Sequence, residues 1–139
     1  MAPPQDGEQL KKESILVVED DLFLRNLLVK NLMNEGYDVW VAVDGPSALQ
    51  TLEEKKPHLI ILDLLLPGID GYEVLSRIKK STDLSKIPVI VLSNLVSPSD
   101  INKTLKLGAA DYLTKATYTL EEVAERVKKV LNERYRKVG

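Results

Sequence analysis

The chain has 139 residues, 44% of them hydrophobic and 29% charged, with a formal net charge of −2, which suits one globular domain with a full core and leaves little room for a second. It has no cysteine, so disulfide frameworks, thiolate metal sites and cysteine nucleophiles are excluded, and a reducing compartment is compatible. No apolar stretch reaches the roughly 18 residues needed to span a bilayer, the opening "MAPPQDGEQLKKE" lacks an apolar signal core, and the balanced charge argues against a general nucleic-acid surface.

Residues 1–13 read as a flexible leader, after which two periodicities take turns. "SILVVE" (14–19) is a first strand, and residues 22–35 form a first helix with Leu24, Leu27, Leu28 and Leu32 on one stripe, Asp21 as N-cap and Gly36 as the stop. "YDVWVA" (37–42) is the second strand, followed by a helix over 45–55. "HLIILD" (58–63) is the third strand, with a helix over 71–80 behind it. "IPVIVLS" (87–93) leads to a helix over 98–107, where Pro98 sits at N1 and Ser97 with Asp100 resembles a capping box. The short "ADYLT" (110–114) is the fifth strand, and Thr119 with Glu122 opens a last helix over 120–135 with a second such box. Residues 136–139 are left as a tail. The cluster Arg126, Lys128, Lys129, Arg134, Arg136 and Lys137 suits the solvated face and C-terminal end of that helix. Strands apolar on both faces, alternating with helices, predict an α/β fold: a right-handed, doubly wound, five-stranded parallel sheet in a three-layer sandwich.

Within this frame the stretch "LIILDLLLPGIDG" (59–71) poses a question, because Asp63 interrupts an aliphatic run. A buried, unpaired carboxylate costs several kcal/mol, roughly, so Asp63 needs partners, a metal, or an exposed position at the strand end. In open α/β sheets the site lies beyond the carboxyl ends of the strands, where the winding reverses. With strand order 2-1-3-4-5, that edge also receives Glu19, Asp20 and Asp21 from the first strand, Ser93 and Asn94 from the fourth, and Lys115 from the fifth. Adjacent carboxylates repel one another, and a hard divalent cation coordinating their oxygens removes that cost. Asp20 and Asp63 are therefore candidate metal ligands, with Glu19 acting through water. A carboxylate nucleophile, a metal, a hydroxyl and an ammonium together form the set needed to steady the oxygens of a phosphoryl group in transfer.

"ILVVEDD", "LIILDLLLPGIDGYEVL", "PVIVLS" and "GAADYLTK", in this order, make residues 14 to about 134 resemble the receiver domain of two-component response regulators, the CheY-like variant of the flavodoxin-like fold. The resemblance implies that Asp63 accepts a phosphoryl group from a sensor histidine kinase or phosphotransfer protein, in the cytoplasm and away from any membrane. It implies Mg²⁺ (Mn²⁺ or Ca²⁺ in vitro) held by Glu19, Asp20, Asp63 and the backbone carbonyl of Leu65 or its neighbour Leu64. Ser93 and Lys115 would bind the phosphoryl oxygens, and Tyr112 would turn inward as Ser93 moves, switching the face of the fourth helix, fifth strand and fifth helix for docking or homodimerisation. Leu65, Asn94 and Leu95 would flank the path of the hydrolytic water, and the two apolar leucines predict slow self-dephosphorylation.

Two positions depart from the pattern. Asn94 replaces the usual small residue after the hydroxyl, and Ala116 replaces the proline that follows the lysine, commonly through a cis peptide. A cis bond before a non-proline residue costs about 2.5 to 4 kcal/mol, so the loop is expected either to take a trans path that shifts Lys115 or to hold strain. These departures give weight to the alternative of an inactive receiver used only as a protein-binding module. Other enzyme classes fit less well, since "EDDLFL" offers no glycines for a phosphate-binding loop, there is no G-x-S-x-G, and the single histidine, His58, is expected at the opposite sheet edge.

Overall fold

The computed structural model describes residues 12–95 and 97–136. The elements are β1 (Ser14–Val18), α1 (Leu22–Asn34), β2 (Asp38–Ala42), α2 (Gly45–Glu54), β3 (Leu59–Leu62), α3 (Gly71–Lys80), β4 (Val89–Ser93), α4 (Pro98–Lys106), β5 (Asp111–Thr114) and α5 (Leu120–Tyr135). All strand pairs are parallel, as the alternation of periods predicts, and the order is β2-β1-β3-β4-β5, the order expected of the CheY-like fold. The leader expected over 1–13 lies outside the described residues except for Lys12 and Glu13, and the Glu13 carbonyl accepts from the Asp38 amide at 3.0 Å, extending the β1–β2 pairing. Of the expected tail, Arg136 is described and pairs with Glu13, whereas residues 137–139 lie outside.

Successive strand residues supply two cores. Ile15, Val17, Leu59, Ile61, Ile90 and Leu92 face Leu28 and Leu32 of α1 and Val127 and Leu131 of α5. Leu16, Val18, Ile60, Leu62, Val89 and Val91 face Ala48 and Leu52 of α2 and Val74, Leu75 and Ile78 of α3. Each such aliphatic side chain contributes roughly 1.5–3 kcal/mol when fully buried, and the two-sided burial explains strands without polar alternation. Of the stripe expected on α1, Leu28 and Leu32 are buried while Leu24 only packs against the core edge.

Element ends follow local chemistry. Asp21 caps α1 by accepting from the Leu24 amide at 3.0 Å, and Gly36 ends it at φ +100°, a left-handed turn that favours glycine. The box on α5 has both arms, Glu122 N–H to Thr119 Oγ1 at 3.1 Å and Thr119 N–H to Glu122 Oε1 at 2.9 Å. The box expected on α4 has one arm: Ser97 Oγ accepts from the Asp100 amide at 3.1 Å, but the Asp100 carboxylate takes the Ser97 hydroxyl at 2.7 Å. Both Asp100 carboxylate oxygens are engaged by hydroxyls, Oδ1 by Tyr72 and Oδ2 by Ser97, so the return to the cap amide is not made. β4 begins at Val89 rather than at Ile87, because Pro88 has no N–H to give to a ladder and enters only through its carbonyl, which accepts from Ile60 at 3.0 Å.

The cap of α2, unanticipated from the sequence, is a box between Asp44 and Ser47. Asp44 and Asp100 are both held below the usual carboxylate range, Asp44 by the Ser47 hydroxyl and amide, Asp100 by Ser97 and Tyr72. The unfolded chain therefore takes up these protons first, and the stability they contribute is present above their ordinary value of 3.8 and lost as pH falls through the lower folded values. Asp44→Asn, which keeps an N-cap oxygen but removes the titration, should flatten the acid limb of the stability curve below about pH 4. Urea midpoints across pH 2.5–5 check this; an unchanged limb would remove Asp44 from the account.

Candidate functional site

The carboxyl edge of the sheet gathers the residues that the winding predicts. Asp63 follows β3, and its amide donates to the Val18 carbonyl at 3.1 Å, so the ladder itself sets its side chain beside the end of β1. Glu19 follows β1 in the same way, its amide on the Ala42 carbonyl at 3.1 Å. Both are buried, at 3% and 2% exposure, whereas Asp20 is exposed. Lys115 follows β5, its amide on the Ser93 carbonyl at 2.9 Å, and its ammonium donates to Asp63 Oδ2 at 2.8 Å and contacts Glu19 Oε1 at 2.9 Å.

Glu19 is raised above its ordinary value by burial, against the lowering bonds from Lys115 and the Asp21 amide. For Lys115, burial pulls down, but the bonds and charges of Asp63 and Glu19 outweigh it and the ammonium is held above its usual range. One ammonium cannot neutralise three acids: Glu19, Asp20 and Asp63 each offer a carboxylate oxygen, all within 4.8 Å of one another. This is an oxygen-only donor set of high charge, the kind hard divalent cations take. The Leu64 carbonyl is engaged by the Gly71 amide at 2.9 Å, so Leu65 is the better backbone candidate of the two. Asp63 Oδ1 accepts from the Leu65 amide at 3.1 Å, which turns this loop around the carboxylate.

Ser93 stands on β4 with its hydroxyl fully buried and without a hydrogen-bond partner, the single such side-chain atom among the described residues. A buried orphan hydroxyl beside a charged cluster costs about 1–3 kcal/mol and is an available donor. Tyr112 is half-buried with its hydroxyl on the Leu95 carbonyl. Burial raises the Tyr112 phenol; the nearby Ser93 opposes this, yet the two oxygens make no bond of hydrogen-bonding geometry. Asn94 is exposed, Leu65 is 53% exposed, and Leu95 packs against the α3 side of the core.

The described residues contain no cis peptide, so Lys115–Ala116 is trans, and Lys115 nonetheless reaches both carboxylates. The expected displacement of Lys115 by a trans loop does not occur, because its amide is already fixed to the β4 ladder before the chain turns. His58 lies at the start of β3, on the opposite edge, where its Nδ1 accepts from the Ser14 amide at 3.0 Å. Of the basic cluster at the end of the chain, Lys128 and Lys129 are exposed on α5 as expected of a solvated face, Arg126 pairs with Asp111, Arg134 donates to the Lys86 carbonyl at 2.6 Å, and Arg136, just past the helix, pairs with Glu13; Lys137 lies outside the described residues.

Two supports were not read from the sequence. Arg25 Nη1 donates to the Glu19 carbonyl at 3.1 Å, holding the acidic loop against α1. Gly71 lets α3 start against the end of β3: a Cβ there would meet the Asp63 carbonyl oxygen and Leu64 Cα at 2.4 Å. The glycine after "PGID" was the available signal, but only the packing gives it a reason.

A 2-1-3-4-5 parallel sheet with buried carboxylates, a lysine and an orphan serine at its switch point defines a CheY-like receiver domain with an intact acidic and lysine cluster. The sequence profile of the response regulator receiver domain matches residues 15–128, and the chain belongs to that family. It is 38% identical over 122 residues to a probable transcriptional regulator ycf27 of Porphyridium aerugineum, covering 88% of this chain and 49% of that protein. The chain thus spans about half the length of the curated relatives it matches. Among solved structures it is similar to the signal receiver domain of a signal transduction histidine kinase from Syntrophus aciditrophicus, at 35% identity and TM-score 0.82, over 91% of this chain and 96% of that one. It also resembles the Mn²⁺-bound response regulator Rcp1, at 31% identity and TM-score 0.76, over 91% and 97% of the two chains. The phosphorylated cyanobacterial phytochrome response regulator RcpA aligns at 31% identity and TM-score 0.78, over 92% and 98%.

Proposed function

We propose that this domain is a phosphoacceptor, taking a phosphoryl group onto Asp63 from a phosphohistidine of a sensor kinase or phosphotransfer protein in a reaction that depends on Mg²⁺. The observation that carries the reading is the single cluster of Lys115, Asp63 and Glu19 at 2.8 and 2.9 Å, with Asp20 in reach and the Ser93 hydroxyl unpartnered. An Asp63 carboxylate oxygen attacks phosphorus in line; the bond from phosphorus to the donor nitrogen breaks, and the imidazole leaves with its electron pair. Lys115 neutralises charge on the transferring group, and Ser93 donates its hydroxyl to a phosphoryl oxygen. Glu19, Asp20, Asp63 and the Leu65 carbonyl are the residues suited to hold the cation, whose contribution when bound is to offset the charge of the phosphoryl oxygens. The metal-bound and phosphorylated states named for Rcp1 and RcpA support this by analogy. Leu22 and Phe23 at the start of α1 and Leu65 after β3, 61%, 76% and 53% exposed, are apolar side chains next to the acidic loop and Asp63 in sequence that suit a docking donor. Tyr112, between Ser93 and the surface of α4, β5 and α5, is the residue suited to transmit occupancy of the site to that face, where partner docking or homodimerisation would read it.

Incubation with Mg²⁺ and acetyl phosphate, followed by intact mass, tests the core of this reading. One added phosphoryl group, absent in Asp63→Asn and in excess chelator, is the expected result. No addition to the wild type under any condition would favour an inert binding module.

Slow self-dephosphorylation follows from the same edge, since Leu65 and Leu95 have no side-chain polar atom to orient a water. After donor removal in excess Mg²⁺, wild type should lose the group more slowly than both Leu65→Asn and Leu95→Glu. Equal or faster loss in the wild type would assign water access to Asn94 instead.

A further inference from the structure

The β4–α4 loop, which carries Asn94 and Leu95 away from Ser93, and the first turn of α4 that follows it are each held by a tyrosine hydroxyl from another element. Tyr112 of β5 donates to the Leu95 carbonyl, and Tyr72 of α3 donates to Asp100 Oδ1 at 2.9 Å in the first turn of α4. The second bond joins residues 28 apart in sequence and is embedded in a satisfied set. Asp100 Oδ2 accepts the Ser97 hydroxyl at 2.7 Å, Ser97 Oγ caps the Asp100 amide at 3.1 Å, and the Lys103 ammonium lies 4.1 Å over the Tyr72 ring. Tyr72 itself follows Gly71, the residue in contact with the Asp63 carbonyl.

We infer that Tyr72 is a positioning residue: its bond to Asp100 ties the first turn of α4, and through Ser97 the end of the β4–α4 loop, to the helix that starts against Asp63. Thr104 is the only buried residue of α4, so a hydrogen bond to its first turn is a large share of what holds that helix, while Leu95 at the start of the loop packs against the core. A loop clasped in this way moves with α3 or breaks the bond; it does not move alone. Burial and the bond to Asp100 both raise the Tyr72 phenol, which remains a donor throughout the neutral range. The consequence for signalling rests on the reading of Asp63 as phosphoacceptor, whereas the clasp itself does not.

Native-state hydrogen exchange separates the two. Tyr72→Phe deletes one oxygen and keeps the ring under Lys103; exchange of the Asp100 and Ile101 amides should rise about tenfold, the scale of a charge-assisted bond discounted for partial exposure, with α5 amides unchanged. Asp100→Ala should do the same, while Asp100→Asn, which retains an acceptor for the Tyr72 hydroxyl, should stay near wild type. Unchanged exchange at Asp100 and Ile101 in Tyr72→Phe, or an equal rise across α5, would overturn the inference. On adding acetyl phosphate and Mg²⁺, wild type should change exchange at the starts of α3 and α4 together, and Tyr72→Phe at α4 alone; joint change in the variant would also overturn it. A wild type that takes up no phosphoryl group would sink the phosphoacceptor reading and leave the clasp judged by the first measurement.

Discussion

Lys115→Met should destabilise the domain by about 3 kcal/mol in the presence of chelator, because it leaves two buried carboxylates without their cation. The ammonium bridges Asp63 Oδ2 at 2.8 Å and Glu19 Oε1 at 2.9 Å, and all three side chains are at most 16% exposed. The attraction is therefore little screened, and its removal exposes the repulsion between the acids. For a domain of this size the loss corresponds to a fall in Tm of roughly 10 °C. Mg²⁺ should restore part of it, and the variant should bind Mg²⁺ more tightly than wild type, since the competing ammonium is gone. Calorimetric scans with chelator and with a Mg²⁺ series measure both; a variant as stable as wild type in chelator would show that the acids are relieved by some other group.

Gly71→Ala should cost about 3 kcal/mol, more than any other glycine substitution whose only fault is backbone conformation. Its Cβ would stand 2.4 Å from both the Asp63 carbonyl oxygen and Leu64 Cα, neither of which is a flexible side-chain end, so α3 must back away from β3. The movement also stretches the Gly71 amide bond to the Leu64 carbonyl, now 2.9 Å. Gly36→Ala is the control: its φ is +100° but nothing lies within 4 Å, so only the left-handed strain of about 1–2 kcal/mol applies. Urea midpoints should rank wild type, Gly36→Ala and Gly71→Ala in falling order. If Gly71→Ala matched the control, the contact with the Asp63 backbone would be softer than its distances indicate.

Much of this could be read from the chain, and the reason lies in periodicity. Aliphatic runs such as Leu59–Leu62 and Val89–Ser93, separated by helical stripes, allow few arrangements but a right-handed parallel sheet, and the resemblance of the strand-end motifs to receiver domains supplies its order. Once the order is known, residues that end strands must meet at one edge, which is why Asp63, Glu19, Asp20, Ser93 and Lys115 were foreseeable together. Capping residues such as Thr119 and Glu122 are legible for a similar reason, as they act within one turn of the chain.

What the sequence alone determined is thus the order of elements and the membership of the edge. The tertiary structure decided everything that depends on distance between elements. A trans Lys115–Ala116 bond still lets the lysine span 52 residues to Asp63, because the ladder with β4 fixes its backbone first. The clasp of Tyr72 on Asp100 exists only because α3 and α4 lie side by side, and Gly71 is required only because α3 begins against β3. Such contacts join residues whose separation along the chain carries no period, so hydrophobic patterning, which reports only which face of an element is buried, is silent about them.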